Sequence, residues 1–152
     1  MAVKSLGAAL LAVSLWLVLL GGAAQSEETK AAAGDAQSET LRSISPQEML
    51  KLVQRNRDNP NFVILDVRTP EEFESGHIEG AVNMDYYDPG FQVELGKLDK
   101  TKTYLIYCRT GNRSDTAFGF MKELQFEDVH PLEGGILAWR AAGFPVAGQK
   151  GQ

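Results

Sequence analysis

The one cysteine of the chain, Cys108, stands in Y-C-R-T-G-N-R-S, residues 107–114, between Tyr107 and Arg109 and ahead of Gly111 and Arg113. A cysteine does chemistry as its thiolate, so the charge of its surroundings decides whether it is a nucleophile or a small apolar filler. Thr103 to Tyr107 is apolar and β-prone, and it ends at the thiol. Beyond the loop, Ala117, Phe120, Met121 and Leu124 recur on one face of a helix that the spacing starts near Ser114. The turn from Cys108 to Arg113 therefore joins a strand end to a helix start. Gly111 relieves the backbone there, so that successive N–H groups can converge as an anion-binding nest. The helix dipole adds partial positive charge at the same place, and Arg109 and Arg113 add full charges. All three favour thiolate, and the same field draws an anionic substrate to the sulfur. Cys108 is the candidate nucleophile. Arg109 and Arg113 are candidates for anion attraction, and the backbone N–H groups of Thr110, Gly111, Asn112 and Arg113 for cradling the charge. Arg113 has an alternative, turning outward or pairing with Asp66.

These residues need elements to hold them. Ser45-Pro46-Gln47-Glu48 and Thr69-Pro70-Glu71-Glu72 each combine an N-cap hydroxyl, a proline at the first helical position and a glutamate that closes a capping box. Between them Phe62 to Val67 is a nearly continuous apolar run, the pattern of a strand buried on both faces. Ala81 to Met84 and Val129 to Leu132 are shorter strand candidates, Gly134-Gly135 is a turn, and Ile136 to Ala142 is a last helix that Gly143 and Pro145 end. Strands alternating with helices mean an α/β fold around a mostly parallel sheet. Ligands of such sheets bind beyond the carboxyl ends of strands, where both Asp66-Val67-Arg68 and Cys108 fall. Asp66 and Arg68 are supporting candidates, read as a buried ion pair holding the strand ends. His77 is read as fixing a loop, and Trp139 as core.

The whole chain narrows the possibilities. Its 152 residues suit one domain with a core, and 43% apolar and 23% charged residues are ordinary for a globular protein. A net charge of −5 gives no reason to expect nucleic-acid binding. Two histidines and one cysteine do not reach metal-ligand spacing, so no metal and no cofactor is expected. Residues 1–24 read as a signal peptide: Lys4, an apolar run from Leu6 to Leu20, then Gly22 and Ala24 at small-x-small spacing before Gln25. The expected destination is outside the cytoplasm, the periplasm, with no stable membrane contact after cleavage. The alternative is an uncleaved N-terminal membrane anchor carrying the domain outside the cytoplasm. Residues 25–40 are polar and alanine-rich, the composition of a flexible linker. The folded domain is expected over 41–147, with 148–152 a short tail. An exported chain with one cysteine forms no internal disulfide, so the thiol asks for another reason.

Three blocks supply one. C-R-T-G-N-R-S resembles the active-site loop of rhodanese-like single-domain sulfurtransferases. I-L-D-V-R-T-P-E-E-F-E-S-G-H-I-E-G-A-V-N-M, from Ile64 to Met84, is similar to the family's upstream motif. L-E-G-G-I-L-A-W-R-A-A-G-F-P-V, from Leu132 to Val146, is similar to its C-terminal one. The blocks come in family order. The resemblance implies a five-stranded, mostly parallel sheet flanked by helices, and a thiosulfate sulfurtransferase: Cys108 takes the outer sulfur of a small anionic donor such as thiosulfate. It then passes that sulfur from a persulfide to cyanide or an external thiol. No second cysteine is present to resolve the persulfide. Two rivals stand beside it. A non-catalytic or carrier module of the same family would pass persulfide to a partner. A cysteine-dependent phosphatase or arsenate reductase also uses a loop thiolate, but places an arginine six positions after the cysteine; here that position is Ser114, and Arg113 comes one earlier.

Overall fold

The computed structural model describes residues 40–148. The expectations for 1–24, for 25–40 apart from Thr40, and for 148–152 apart from Gly148 lie outside the described residues. Both capping boxes form. Ser45 caps α1 (Pro46–Arg55) and Thr69 caps α2 (Pro70–Glu74), each with its hydroxyl accepting from the N3 backbone and the N3 glutamate returning to the cap N–H. The apolar runs become β1 (Phe62–Asp66) and β3 (Thr103–Tyr107), with β2 (Ala81–Asn83) and β4 (Asp128–Pro131) as the shorter strands. Helix α3 (Phe91–Gly96) precedes β3, α4 (Asn112–Glu123) follows the cysteine loop, and α5 (Gly135–Ala141) closes the chain of elements.

The four strands form one sheet in the order β2-β1-β3-β4, every pair parallel. The resemblance implies five. The fifth place, beside β4, is taken by Leu41 and Ile44, which meet Val129 and Leu132 only as isolated parallel bridges. Ile44 N–H donates to Pro131 O and Glu133 N–H to Ile44 O. Two bridges in place of a ladder leave the four-stranded sheet as the regular part.

Residues alternate across the two central strands, so each sheet face has its own core. Leu65, Tyr104 and Ile106 lie under α3 and α4 with Phe91, Leu95 and Met121. Ile64, Leu105 and Tyr107 lie on the other face with Met49 of α1 and Ile136 and Trp139 of α5. Trp139 is 1% exposed, and its indole N–H donates to Pro145 O at 2.9 Å. His77 ties down the end of the domain: its backbone exchanges hydrogen bonds with Ala147, and its ring stacks on Phe73 at 3.8 Å. No helix among the described residues is long and apolar enough to cross a membrane.

Candidate active site

The register fixes the site. Asp66 and Tyr107 are partners at the carboxyl ends of the two central strands, and Val67 N–H donates to Tyr107 O. Val67-Arg68 and Cys108-Arg109 therefore leave the sheet side by side. Cys108 is 1% exposed. Its Sγ accepts from Gly111 N–H at 3.1 Å, with the Ser114 hydroxyl 3.7 Å away. That hydroxyl also reaches Gly111 O at 2.8 Å, so one proton serves two acceptors and the backbone amide is the firmer donor to sulfur.

Burial is the largest single influence on Cys108 and pushes the thiol up. The backbone N–H and hydroxyl of Ser114, with the N–H groups of Gly111 and Thr110, together outweigh it, and the thiol rests below its ordinary value. The arginines are not the main cause. Helix α4 begins at Asn112, two residues ahead of the expected start, because Gly111 at φ 112° takes the N-cap position with no side-chain cap. This pulls the first turn of the helix, and its unpaired N–H groups, up against the thiol.

The Arg109 side chain lies exposed, with no hydrogen-bond or ion-pair partner among the described residues. Thr110 and Asn112 are exposed, and Gly111 is buried. Arg113 is held elsewhere. Its Nη1 and Nη2 donate to Glu72 Oε2 and Oε1 at 2.7 and 2.9 Å, a bidentate pair reaching across to α2. The partner is Glu72, not Asp66. The hydrogen bonds from Arg113 hold the Glu72 carboxyl below the usual carboxylate range. Much of the Arg113 charge is therefore neutralised before it reaches the sulfur.

Asp66 and Arg68 form a buried pair, 0% and 3% exposed. Arg68 Nε reaches both carboxylate oxygens at 2.9 and 3.0 Å, and Nη2 donates to Asp66 Oδ2 at 2.5 Å and Gly76 O at 3.0 Å. The guanidinium lies 5.6 Å from the centre of the Tyr107 ring. These contacts bind the end of β1 to the loop carrying Gly76 and touch neither the sulfur nor its donors.

Two contributors have no obvious signal in the sequence. Ser114 looks like an ordinary helix residue, yet it faces the thiol; its place six residues after the cysteine, just inside a helix start, is the one clue. Gly134-Gly135 is more than a turn. Ile136 N–H donates to Cys108 O and Leu137 N–H to Arg109 O, so the start of α5 holds the loop backbone from beneath. Gly135 makes this possible: at φ +59°, a Cβ there would sit 2.5 Å from Cys108 O and 2.6 Å from Arg109 O. Among the described residues no group of histidine, cysteine or carboxylate side chains could hold a metal ion.

A Rhodanese-like domain model matches residues 47–142. The chain is 33% identical over 98 residues to the thiosulfate sulfurtransferase GlpE of Pseudomonas putida, covering 64% of this chain and 84% of that one. Among solved structures it is similar to a rhodanese-related protein of Thermoplasma volcanium (TM-score 0.58, 30% identity, 70% of this chain and 98% of that one). It is also similar to a Rhodopseudomonas palustris protein of unknown function described as a possible tyrosine phosphatase (TM-score 0.59, 26% identity, 77% and 92%). The family model spans both strand ends, the cysteine loop and the α5 start that supports it, and on that extent the chain belongs to the rhodanese-like sulfurtransferase family.

Proposed function

We propose that the protein transfers the sulfane sulfur of thiosulfate, or of a related small anionic donor, to a thiophilic acceptor through a persulfide on Cys108. The observation that carries this is a buried sulfur whose pKa is lowered by loop amides and a hydroxyl. Cys108 thiolate attacks the outer sulfur, the S–S bond of thiosulfate breaks, and sulfite leaves with the bonding pair. The negative charge now rests on the outer sulfur of the persulfide, within the same shell of donors. An acceptor, cyanide or an external thiol, then takes that sulfur and returns the electron pair to Cys108. The activity in the name of the P. putida relative supports the choice of donor. For the resting place of the protein we propose export, on the strength of Lys4, the apolar run from Leu6 to Leu20 and the small residues before Gln25.

The likeness to a possible tyrosine phosphatase supports a second reading, hydrolysis of a phosphoester by the same thiolate. Against it, Arg113 is bound by Glu72, and no arginine stands at the sixth position after Cys108. Thiocyanate formation from thiosulfate and cyanide, compared between wild type and Cys108→Ser, tests the first reading. A Cys108-dependent rate is expected. Equal rates, or a folded wild type that turns over p-nitrophenyl phosphate and makes no thiocyanate, would overturn it.

A further inference from the structure

A cavity of about 380 Å³ opens beside the cysteine loop, between the end of α2 and the outer face of α5, lined by Arg68, Glu72, Ser75, Arg109, Leu137 and Arg140, with Ile136 at its base. Thiosulfate needs little of that space; the volume is in the range of small-molecule sites, roughly 300–1,000 Å³. Its charge is unbalanced. Arg68 is matched by Asp66, and Glu72 by Arg113. Arg109 and Arg140 have no carboxylate partner among the described residues, so the lining carries two uncompensated positive charges. Arg140 is not a loose side chain. Its Nη2 donates to Gly76 O at 3.3 Å and Ser75 O at 3.5 Å, and Gly76 O is also held by Arg68. Its other guanidinium N–H groups have no partner among the described residues. Leu137, 45% exposed, adds an apolar side next to these cations.

The geometry points to this cavity as the binding site for the carboxylate-bearing body of a low-molecular-weight thiol, the acceptor of the second half-reaction, with Arg140 as a specificity-determining residue. This rests on the persulfide reading above. Two guanidinium groups suit carboxylates, which they can bind through paired N–H donors, and Leu137 suits the methylenes between the carboxylates and the sulfur. A thiol so held turns its sulfur toward Arg109, the residue that follows Cys108 in the loop. The acceptor thiol gives its proton to the outer sulfur of the anionic Cys108 persulfide, and the resulting thiolate attacks that sulfur. A new S–S bond forms on the acceptor, the old one breaks with its electron pair going to Cys108 Sγ, and the acceptor leaves as a persulfide carrying the proton. Nothing is oxidised overall, and no further reagent is consumed.

The test uses the full chain with three probes: glutathione as a carboxylate-bearing acceptor, 2-mercaptoethanol as an uncharged one, and S-methylglutathione as a ligand that cannot react. For Arg140→Gln, the KM for glutathione is expected to rise about tenfold relative to that for 2-mercaptoethanol, the loss of one charge-assisted hydrogen bond at a half-open site. Arg140→Lys should recover part of it. S-methylglutathione should bind wild type and bind Arg140→Gln more weakly by a similar factor. Equal KM ratios in wild type and Arg140→Gln, or S-methylglutathione binding that is absent or indifferent to the substitution, overturns the proposal. Thiocyanate formation in wild type separates the two claims: its absence sinks the sulfurtransferase reading, while the binding arm still decides the cavity.

Discussion

Gly135→Ala is the sharpest probe of how the site is built. The new Cβ would lie 2.5 Å from Cys108 O, 2.6 Å from the Arg109 carbonyl carbon and 2.6 Å from its oxygen, all of them backbone atoms that cannot rotate away. Either the loop or the start of α5 must retreat by several tenths of an ångström, stretching the Ile136 N–H to Cys108 O bond from 2.9 Å. Overpacking of a tight contact costs about 1–3 kcal/mol. Holding alanine at a positive φ adds about 1–2 kcal/mol. The variant should lose roughly 2–5 kcal/mol in urea denaturation, the sum of those two costs. Because the displaced atoms carry the thiol, thiocyanate formation should fall by about tenfold to a hundredfold in kcat/KM. Gly119→Ala is the control. It lies within α4 with nothing within 4 Å of its Cβ position, so it should gain about 0.5–1 kcal/mol. A Gly135→Ala protein within about 0.5 kcal/mol of wild type, well inside the usual effect of a surface substitution, and with full activity refutes the supporting role given to α5.

Three other outcomes follow from the contacts. Ser114→Ala removes one of the donors that lower the Cys108 pKa, so the midpoint of iodoacetamide alkylation against pH should lie below that of a free cysteine in wild type and move upward in the variant; an unmoved midpoint excludes the hydroxyl. Asp66→Ala strands the Arg68 guanidinium at 3% exposure and should cost about 3–5 kcal/mol, with Asp66→Ala/Arg68→Met recovering part of it; denaturation curves for single and double variants decide. Glu72 is held below the ordinary carboxylate range by hydrogen bonds from Arg113. Asp128 is also held below, where burial, which pushes it up, is outweighed by His130 and Thr103. Depressed folded-state values mean stabilisation that is complete above the unfolded values near 4 and is lost as pH falls through the folded ones. Glu72→Gln should therefore be less stable at neutral pH and show a shallower acid limb; parallel acid limbs contradict the pairing.

Local signals in the sequence carried much of this. Two capping boxes, two buried apolar runs and the glycine after the cysteine are short-range features, and each forms within a few residues of where its pattern lies. Helix α3 has no such signal: it starts from Gly90 with no side-chain cap, and only Phe91 and Leu95 turn inward. The early start of α4 depends on Gly111 adopting φ 112°, which glycine permits and does not require. Long-range choices were the least legible. Arg113 had several carboxylates within conceivable reach, and only the placement of α2 over the loop selects Glu72, 41 residues away. The glycine pair before α5 reads as a turn, and its close contact with Cys108 and Arg109 exists only once the last helix docks. Of the two loop arginines, the sequence treats both as anion attractors, whereas the fold leaves Arg109 open and ties Arg113 down.

The central claim is that Cys108 carries sulfur, and intact-mass spectrometry tests it most directly. Full-length protein treated with thiosulfate and freed of excess reagent should gain the mass of one sulfur atom, located on Cys108 by peptide mapping. It should return to its original mass on addition of cyanide, as thiocyanate appears in equal amount. A folded wild-type protein that stays at its original mass after thiosulfate, or a Cys108→Ser variant that gains the same mass, would contradict the account.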